Sequence, residues 1–152
     1  MRRSLHVGVL TAMAAACAGG IRPAYTPFPE AIESTAAAPP AEVVTALVSA
    51  MAAEGLRVQW QSEVEGFVES QWYDVFSRES GSFNRTTPER FIRLRFFVDP
   101  QGDAGSRIVA EVAMMRTVDP SVMERDAEMM APTGHAGRRI LDDILRRVSA
   151  TR

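Results

Sequence analysis

The chain has 152 residues, of which 17 are basic and 19 acidic, for a net charge of −2. This balance argues against a nucleic-acid-binding protein, which needs a concentrated basic surface. The only cysteine, Cys17, excludes an internal disulfide and a metal site built from several thiolates.

The first sixteen residues have the pattern of a secretion signal. Arg2 and Arg3 precede an uncharged, mostly apolar stretch over 5–16, which is too short to span a bilayer core of about 30 Å. We therefore predict that residues 1–16 are a signal peptide that is removed on export. Its removal leaves 15 basic and 19 acidic residues and a net charge of −4.

Three small residues, Ala14, Ala15 and Ala16, stand directly before Cys17. This segment resembles a lipobox, where bacterial lipoproteins are cleaved and their new N-terminal cysteine is acylated, although Ala14 replaces the usual Leu. The resemblance implies a lipid on Cys17 that anchors the protein to a membrane. Because Ala18 is not Asp, the resemblance points to the periplasmic face of the outer membrane. The same alanines fit an ordinary signal peptidase site, so the alternative is secretion to the periplasm.

Residues 17–39 are predicted to form a Pro-rich tether that starts at the lipidated cysteine. Five of the chain's nine prolines fall within 18–40. Tyr25 and Phe28 are apolar for a free linker, so part of 25–35 is expected to pack on the domain. Within it, 31–35 is predicted to be a short edge strand.

The remaining residues, 40–152, are predicted to form a single α+β domain. Apolar residues at spacings of three and four predict a helix that begins at Pro40 and stops at Gly55. Alternating apolar residues then predict four strands, at about 56–61, 66–76, 90–98 and 106–116. A short helix within 121–130, capped by Ser121, and a closing helix over 134–149 complete the chain.

These elements predict a two-layer fold in which the N- and C-terminal helices pack on one face of a four-stranded antiparallel meander. Alternation along the strands leaves aromatic and arginine side chains on the opposite face, which is the candidate partner-binding face: Arg57, Phe67, Tyr73, Phe91, Arg93, Arg95 and Phe97. Aromatic residues and arginine are enriched at protein-binding hot spots. The alternative is an ordinary sheet surface stabilised by cross-strand pairs.

The element order, with Gly55 and Leu56 entering the first strand and Gly66 and Trp72 in the second, resembles the small domains of BamC-like accessory lipoproteins. Those proteins belong to the outer-membrane β-barrel assembly machinery. The resemblance covers about 40–150 and implies a fold and an envelope location. It assigns no functional residue beyond the lipidated Cys17.

No catalytic signature stands out, and we predict no catalytic residue, metal or cofactor. His6 leaves with the signal, and His135 at the start of the last helix has no nucleophile motif to serve. Five methionines cluster late in the chain: Met114, Met115, Met123, Met129 and Met130. We interpret them as core packing, with a soft copper site as the alternative.

The sequence therefore predicts a non-enzymatic cell-envelope lipoprotein whose domain docks an envelope protein partner. The alternative is a periplasmic binding module for a small apolar ligand, held between sheet and helices and lined by Trp60, Trp72 and Phe96. A third class, an enzyme, would depend on a polar cleft around His135.

Overall fold

The computed structural model describes residues 20–150, so the predicted signal peptide and Cys17 lie outside the described residues. In chain order the elements are β1 (Ile32–Ala36), α1 (Pro40–Ala53), β2 (Val58–Ser62), β3 (Phe67–Ser70), β4 (Trp72–Asp74), β5 (Glu79–Gly81), β6 (Phe91–Gln101), β7 (Gly105–Met115), α2 (Glu124–Ala127), β8 (Glu128–Met130) and α3 (Ala136–Ala150). A single 3-10 turn, Pro88–Arg90, precedes β6. The predicted α+β class is confirmed.

The sheet is antiparallel but larger than the predicted four-stranded meander, which is therefore wrong in strand number. Eight strands contribute within residues 20–150. The main order is β1-β7-β6-β3-β2, while β4 pairs with β5 and β6, and β8 pairs with β7. Of the four strands outside the predicted meander, β1 is the predicted edge strand, and β4 is the second half of the strand predicted at 66–76. The strands that the sequence did not predict, β5 and β8, have three residues each, too few for alternation to reveal them.

The predicted edge strand at 31–35 is confirmed as β1. It pairs with β7, with Ile32 opposite Ala110 and Ala36 opposite Ser106. This part of the segment predicted as a tether is therefore a strand of the sheet.

Helices α1 and α3 pack on one face of the sheet, called the inner face. Pro40 begins α1, and Gly55 after its end adopts a φ of 82°, which glycine accepts most readily. The alternation predicted for β6 is confirmed, because Ile92, Leu94 and Phe96 are fully buried in the core beneath the helices. Within residues 20–150, no helix combines the length and the apolar character needed to cross a membrane.

The short helix predicted within 121–130 is mostly wrong. Only α2, Glu124–Ala127, is helical, and the chain continues directly into β8. Ser121 does not cap the helix, since its hydroxyl and its backbone N–H both bond to Asp119. Glu128–Met130 is extended instead because it pairs with β7, a tertiary contact that overrides local helix propensity.

Two irregularities in the strands change which side chains reach each face. The register between β2 and β3 shifts between Val58 and Trp60, which places Trp60 opposite Glu69. A second one-residue shift separates β3 from β4 in their pairing with β6. One extra residue moves the following side chains to the other face of a sheet. Tyr73 consequently lies in the core on the inner face, which corrects its predicted position on the outer face.

Candidate functional site

The outer face of the sheet, which points away from α1 and α3, is the surface predicted to bind a partner. Of the predicted residues, five are buried there rather than exposed: Phe67, Phe91, Arg93, Arg95 and Phe97. Arg57 is exposed, and Tyr73 lies in the core, where its hydroxyl donates to the carbonyl of Glu54 at 3.1 Å. The five residues are buried because other segments of the same chain cover the outer face.

The first covering segment is residues 20–31, which we call the strap. Its start is attached to the turn between β2 and β3: the Arg22 backbone N–H donates to the Glu65 carboxylate at 2.6 Å, and its guanidinium donates to the Glu65 carbonyl at 2.9 Å. The same guanidinium contacts the Asp99 carboxylate at 2.7 Å. Three interactions thus hold the strap to this end of the sheet.

Aromatic side chains hold the middle of the strap. Tyr25 packs edge-on against Phe97, with ring centroids 6.3 Å apart. The Arg125 guanidinium carbon lies 4.2 Å from the Tyr25 ring centroid and 3.5 Å from that of Phe28. The Phe28 backbone N–H donates to the Glu111 carboxylate at 2.6 Å. Burial raises the pKa of Tyr25 to about 12, so its phenol stays protonated at neutral pH.

Beneath the strap lies a group of ionised side chains that we call the charge cluster: Glu69, Arg93, Arg95, Glu111, Arg125 and Glu128. Arg95, only 3% exposed, is central. It donates through Nε to Glu69 and through both Nη atoms to Glu128, at 2.6 and 2.8 Å. Arg125 makes the same two-pronged contact with Glu111, at 2.8 and 2.9 Å. Three arginines therefore balance three buried carboxylates.

Arg93 connects the charge cluster to the second covering segment, α2. Its Nη1 donates to Glu124 at 2.5 Å, and its guanidinium lies 4.3 Å from the Trp72 ring centroid. Among the buried side-chain nitrogen and oxygen atoms of residues 20–150, Nε of Arg93 alone lacks a hydrogen-bond partner. Arg93 is thus the least completely paired member of the cluster.

The charge cluster is suited to holding segments together rather than to proton transfer. Burial opposes the charge of Arg95, but hydrogen bonds and charges from Glu128 and Glu69 outweigh it and raise the pKa of Arg95. Neither Arg95 nor Tyr25 therefore titrates near neutral pH. Among residues 20–150, no three acidic, histidine or cysteine side chains are grouped to hold a metal ion. The cluster joins the strap and α2–β8 to the sheet.

An open cavity of about 370 Å³, which we call the distal groove, lies beside the charge cluster. Its lining includes the apolar residues Trp72, Phe83, Met115, Val118, Pro120 and Val122 and the charged residues Arg85, Asp119 and Glu124. The Trp72 and Phe83 rings pack in a tilted arrangement with centroids 4.9 Å apart, and Phe83 packs edge-on against Phe91. The groove thus presents aromatic surface next to charged groups. The sequence missed it because β4 and the loop after β7 meet only in the folded chain.

The three aromatic residues predicted to line a ligand pocket do not meet. Phe96 is buried in the core under the helices. Trp60 is 51% exposed on the outer side of β2, and Trp72 lines the distal groove. The predicted apolar-ligand pocket between sheet and helices therefore has no support from these side chains.

His135 and the methionines also lie apart from any shared site. Nδ1 of His135 accepts the backbone N–H of Gly137 at 3.1 Å, so this ring caps the start of α3. Met114 packs against the core, whereas Met115 lines the distal groove on the other face. The remaining three methionines range from 7% to 75% exposed. Met123 and Met129 are exposed, so the core-packing interpretation is wrong for these two residues.

Comparison with known proteins assigns no family. No protein-family model matches the chain. No curated protein matches it either. The similarity to BamC-like lipoproteins therefore stays a prediction from the order of elements.

Proposed function

We propose that this protein is a non-enzymatic cell-envelope lipoprotein that holds a protein partner close to a membrane. Residues 1–16 direct export, and lipid on Cys17 anchors the mature protein at the periplasmic face of the outer membrane. Secretion to the periplasm without lipid is the alternative. The observation that carries the proposal is the position of the only cysteine, directly after an apolar stretch and three alanines.

The strap supports an anchoring role. Arg22 is bonded to Glu65 and Asp99, and it lies five residues after Cys17. A lipid on Cys17 would therefore hold the folded domain close to the membrane, because little chain separates the lipid from the first attachment. The Pro-rich segment from residue 20 onward therefore packs on the sheet and does not serve as a long flexible linker.

The distal groove is the partner-binding surface in this proposal, since most of the face predicted from sequence is buried. Aromatic rings beside charged groups are typical of hot spots. The groove lies at the β6 end that begins with Phe91, whereas the strap is attached near Asp99 at the other end. Eight residues of strand span about 26 Å, so the groove faces away from the anchored end.

Metabolic labelling tests the anchor. Cells that express the full chain are labelled with palmitate, and the protein is compared with Cys17→Ser. Label on the parent protein and none on the variant is expected. Label that persists on Cys17→Ser, or no label on either protein, would contradict the lipoprotein assignment.

Crosslinking in intact cells tests the groove. A photo-reactive amino acid replaces Arg85 in the groove, and Arg139, exposed on α3, is the matched control position. A discrete adduct is expected from position 85 and not from position 139, and Val122→Arg within the groove should abolish it. The same adducts from both positions, or none from either, would rule out the groove as the docking surface.

A further inference from the structure

The structure places three exposed apolar side chains where the strap meets β2. We call this region the β2 corner, residues 20–21 and 60–65. Ile21 is 43% exposed, Trp60 51% and Val64 97%. Ile21 and Trp60 lie at the rim of a cavity whose lining also includes Glu69, Arg93, Arg95 and Arg125 of the charge cluster. Val64 belongs to the turn whose Glu65 is bonded to Arg22. Exposed apolar residues that lie close together often mark a surface that contacts a protein or a membrane.

The distance to Cys17 identifies the surface that the β2 corner meets. Three peptide units separate Cys17 from Gly20, so their Cα atoms are at most about 11 Å apart. Gly20 itself lies against the Glu65 side chain in the turn that carries Val64. A lipid on Cys17 would therefore bring this corner, rather than the distal groove, to the bilayer.

We propose that the β2 corner rests on the lipid surface, with Ile21, Trp60 and Val64 in the interfacial layer. This inference rests on the proposed lipid on Cys17. Tryptophan suits that layer, since its apolar ring and polar N–H match a boundary that is apolar on one side and wet on the other. β2 is the edge strand of the sheet, so no neighbouring strand lies between it and a surface on that side.

Only a weak contact is needed. A short tether keeps the corner at an effective concentration on the order of millimolar with respect to the membrane, so three side chains suffice. The carboxylates of Glu63 and Glu65 also lie in this corner, where they accept hydrogen bonds from Thr45 and Arg22. These acidic groups give no attraction to anionic lipids, so the contact is expected on a zwitterionic bilayer.

The docked position orients the rest of the molecule. Phe76 contacts Arg90, next to the start of β6. At the other end of β6, Arg22 bonds both Glu65 of the corner and Asp99. Trp60 is opposite Glu69, which pairs with Arg95 midway along β6. A membrane at the β2 corner thus leaves the other end of β6 pointing away from the lipid.

Tryptophan fluorescence tests the proposal, because the chain contains only Trp60 and Trp72. The full chain is produced in a bacterial host and reconstituted into phosphatidylcholine vesicles with acyl chains brominated near the headgroup. In Trp72→Phe, bromine is expected to quench Trp60 at least about twofold and shift its emission to the blue. In Trp60→Phe, the buried Trp72 should stay unquenched. Equal quenching of both, or none of Trp60, would overturn the proposal.

Two surface substitutions test the docking independently of any change at the tryptophans themselves. Val64→Asp should reduce the quenching of Trp60 at least about twofold, whereas Phe76→Asp, at a residue that is 73% exposed at the other end, should leave it unchanged. Equal effects of the two substitutions would contradict docking through the corner. The substituted side chains are exposed, so both variants are expected to fold.

The failure of docking is separable from failure of the anchor. Mass spectrometry of the purified protein reports whether Cys17 carries acyl chains. If it does not, the lipoprotein assignment fails, and the thiol of Cys17 is coupled instead to a maleimide lipid in the same vesicles. Quenching of Trp60 but not of Trp72 in these vesicles would then support docking, and equal quenching of both or none of Trp60 would contradict it.

Discussion

Replacing Arg95 by methionine tests whether the charge cluster holds the outer face together. Methionine retains much of the packing volume but leaves Glu128, fully buried, and Glu69 without their central cation. Breaking a buried ion pair on one side costs about 3–5 kcal/mol because a carboxylate remains buried without compensation. Domains of this size have about 5–15 kcal/mol of stability in total, so the loss is a large fraction. It corresponds to a fall of about 10–20 °C in Tm.

Urea unfolding at neutral pH, followed by circular dichroism, measures this loss. Arg107→Met is the matched control, since Arg107 pairs with Glu33 at 2.5 Å but both side chains are largely exposed. The control should change stability little, because solvent screens exposed pairs. The double variant Arg95→Met with Glu128→Gln should recover part of the loss, since one orphaned charge is gone. A loss in Arg95→Met below about 1 kcal/mol, or no greater than in the control, would show that the charge cluster does not hold the outer face together.

Three further predictions concern single residues. Burial alone would raise the pKa of Asp74, but hydrogen bonds from two backbone N–H groups and a guanidinium outweigh it and hold that pKa below its usual 3.8. Asp74→Asn should therefore lower the free energy of unfolding by about 1 kcal/mol at neutral pH. When unfolding is measured at decreasing pH, the difference in stability between the parent protein and the variant should disappear as pH falls through the folded-state pKa of Asp74. In Tyr73→Phe, where Tyr25 is the only tyrosine left, phenolate absorbance should rise near pH 12; a midpoint near the usual 10.0 would mean that the strap is not docked. Gly66→Ala should lower the free energy of unfolding, measured with urea, by about 2 kcal/mol, because Gly66 has a φ of 63° and a Cβ there would meet the backbone carbonyl of Val98. Gly81 has open space around it, so Gly81→Ala should lower the free energy of unfolding by less than half as much.

Local patterns predicted the two long helices, α1 and α3, and the two long strands, β6 and β7, well. The limits of α1 and α3 follow from apolar spacing together with Pro40 and Gly55, and the buried faces of β6 and β7 follow from alternation. Such signals are local, because each residue's face depends only on its place in a helix turn or pleat. The same patterns did not predict that the outer face is covered. Alternation shows which side chains point away from the helices, but it does not show whether another segment packs over them.

The positions of Trp60, Trp72 and Tyr73 show where that local rule fails. A single extra residue in β2, and another between β3 and β4, moves each following side chain to the opposite face. Neither shift has a glycine or proline to mark it in the sequence. The pairing of whole strands, rather than any one residue, decides it.

The class of fold, the core-facing residues of the long strands and the cysteine of the proposed anchor all follow from the amino-acid sequence alone. Two features appear only in the folded chain: Tyr25 and Phe28 lie over the outer face, and Arg95 pairs with Glu128, 33 residues away. The physical reason is that buried charges must find partners wherever the packed chain brings them, and no spacing along the chain encodes such a contact. The strap of the same chain thereby covers the outer face, which the sequence predicts to be a binding surface.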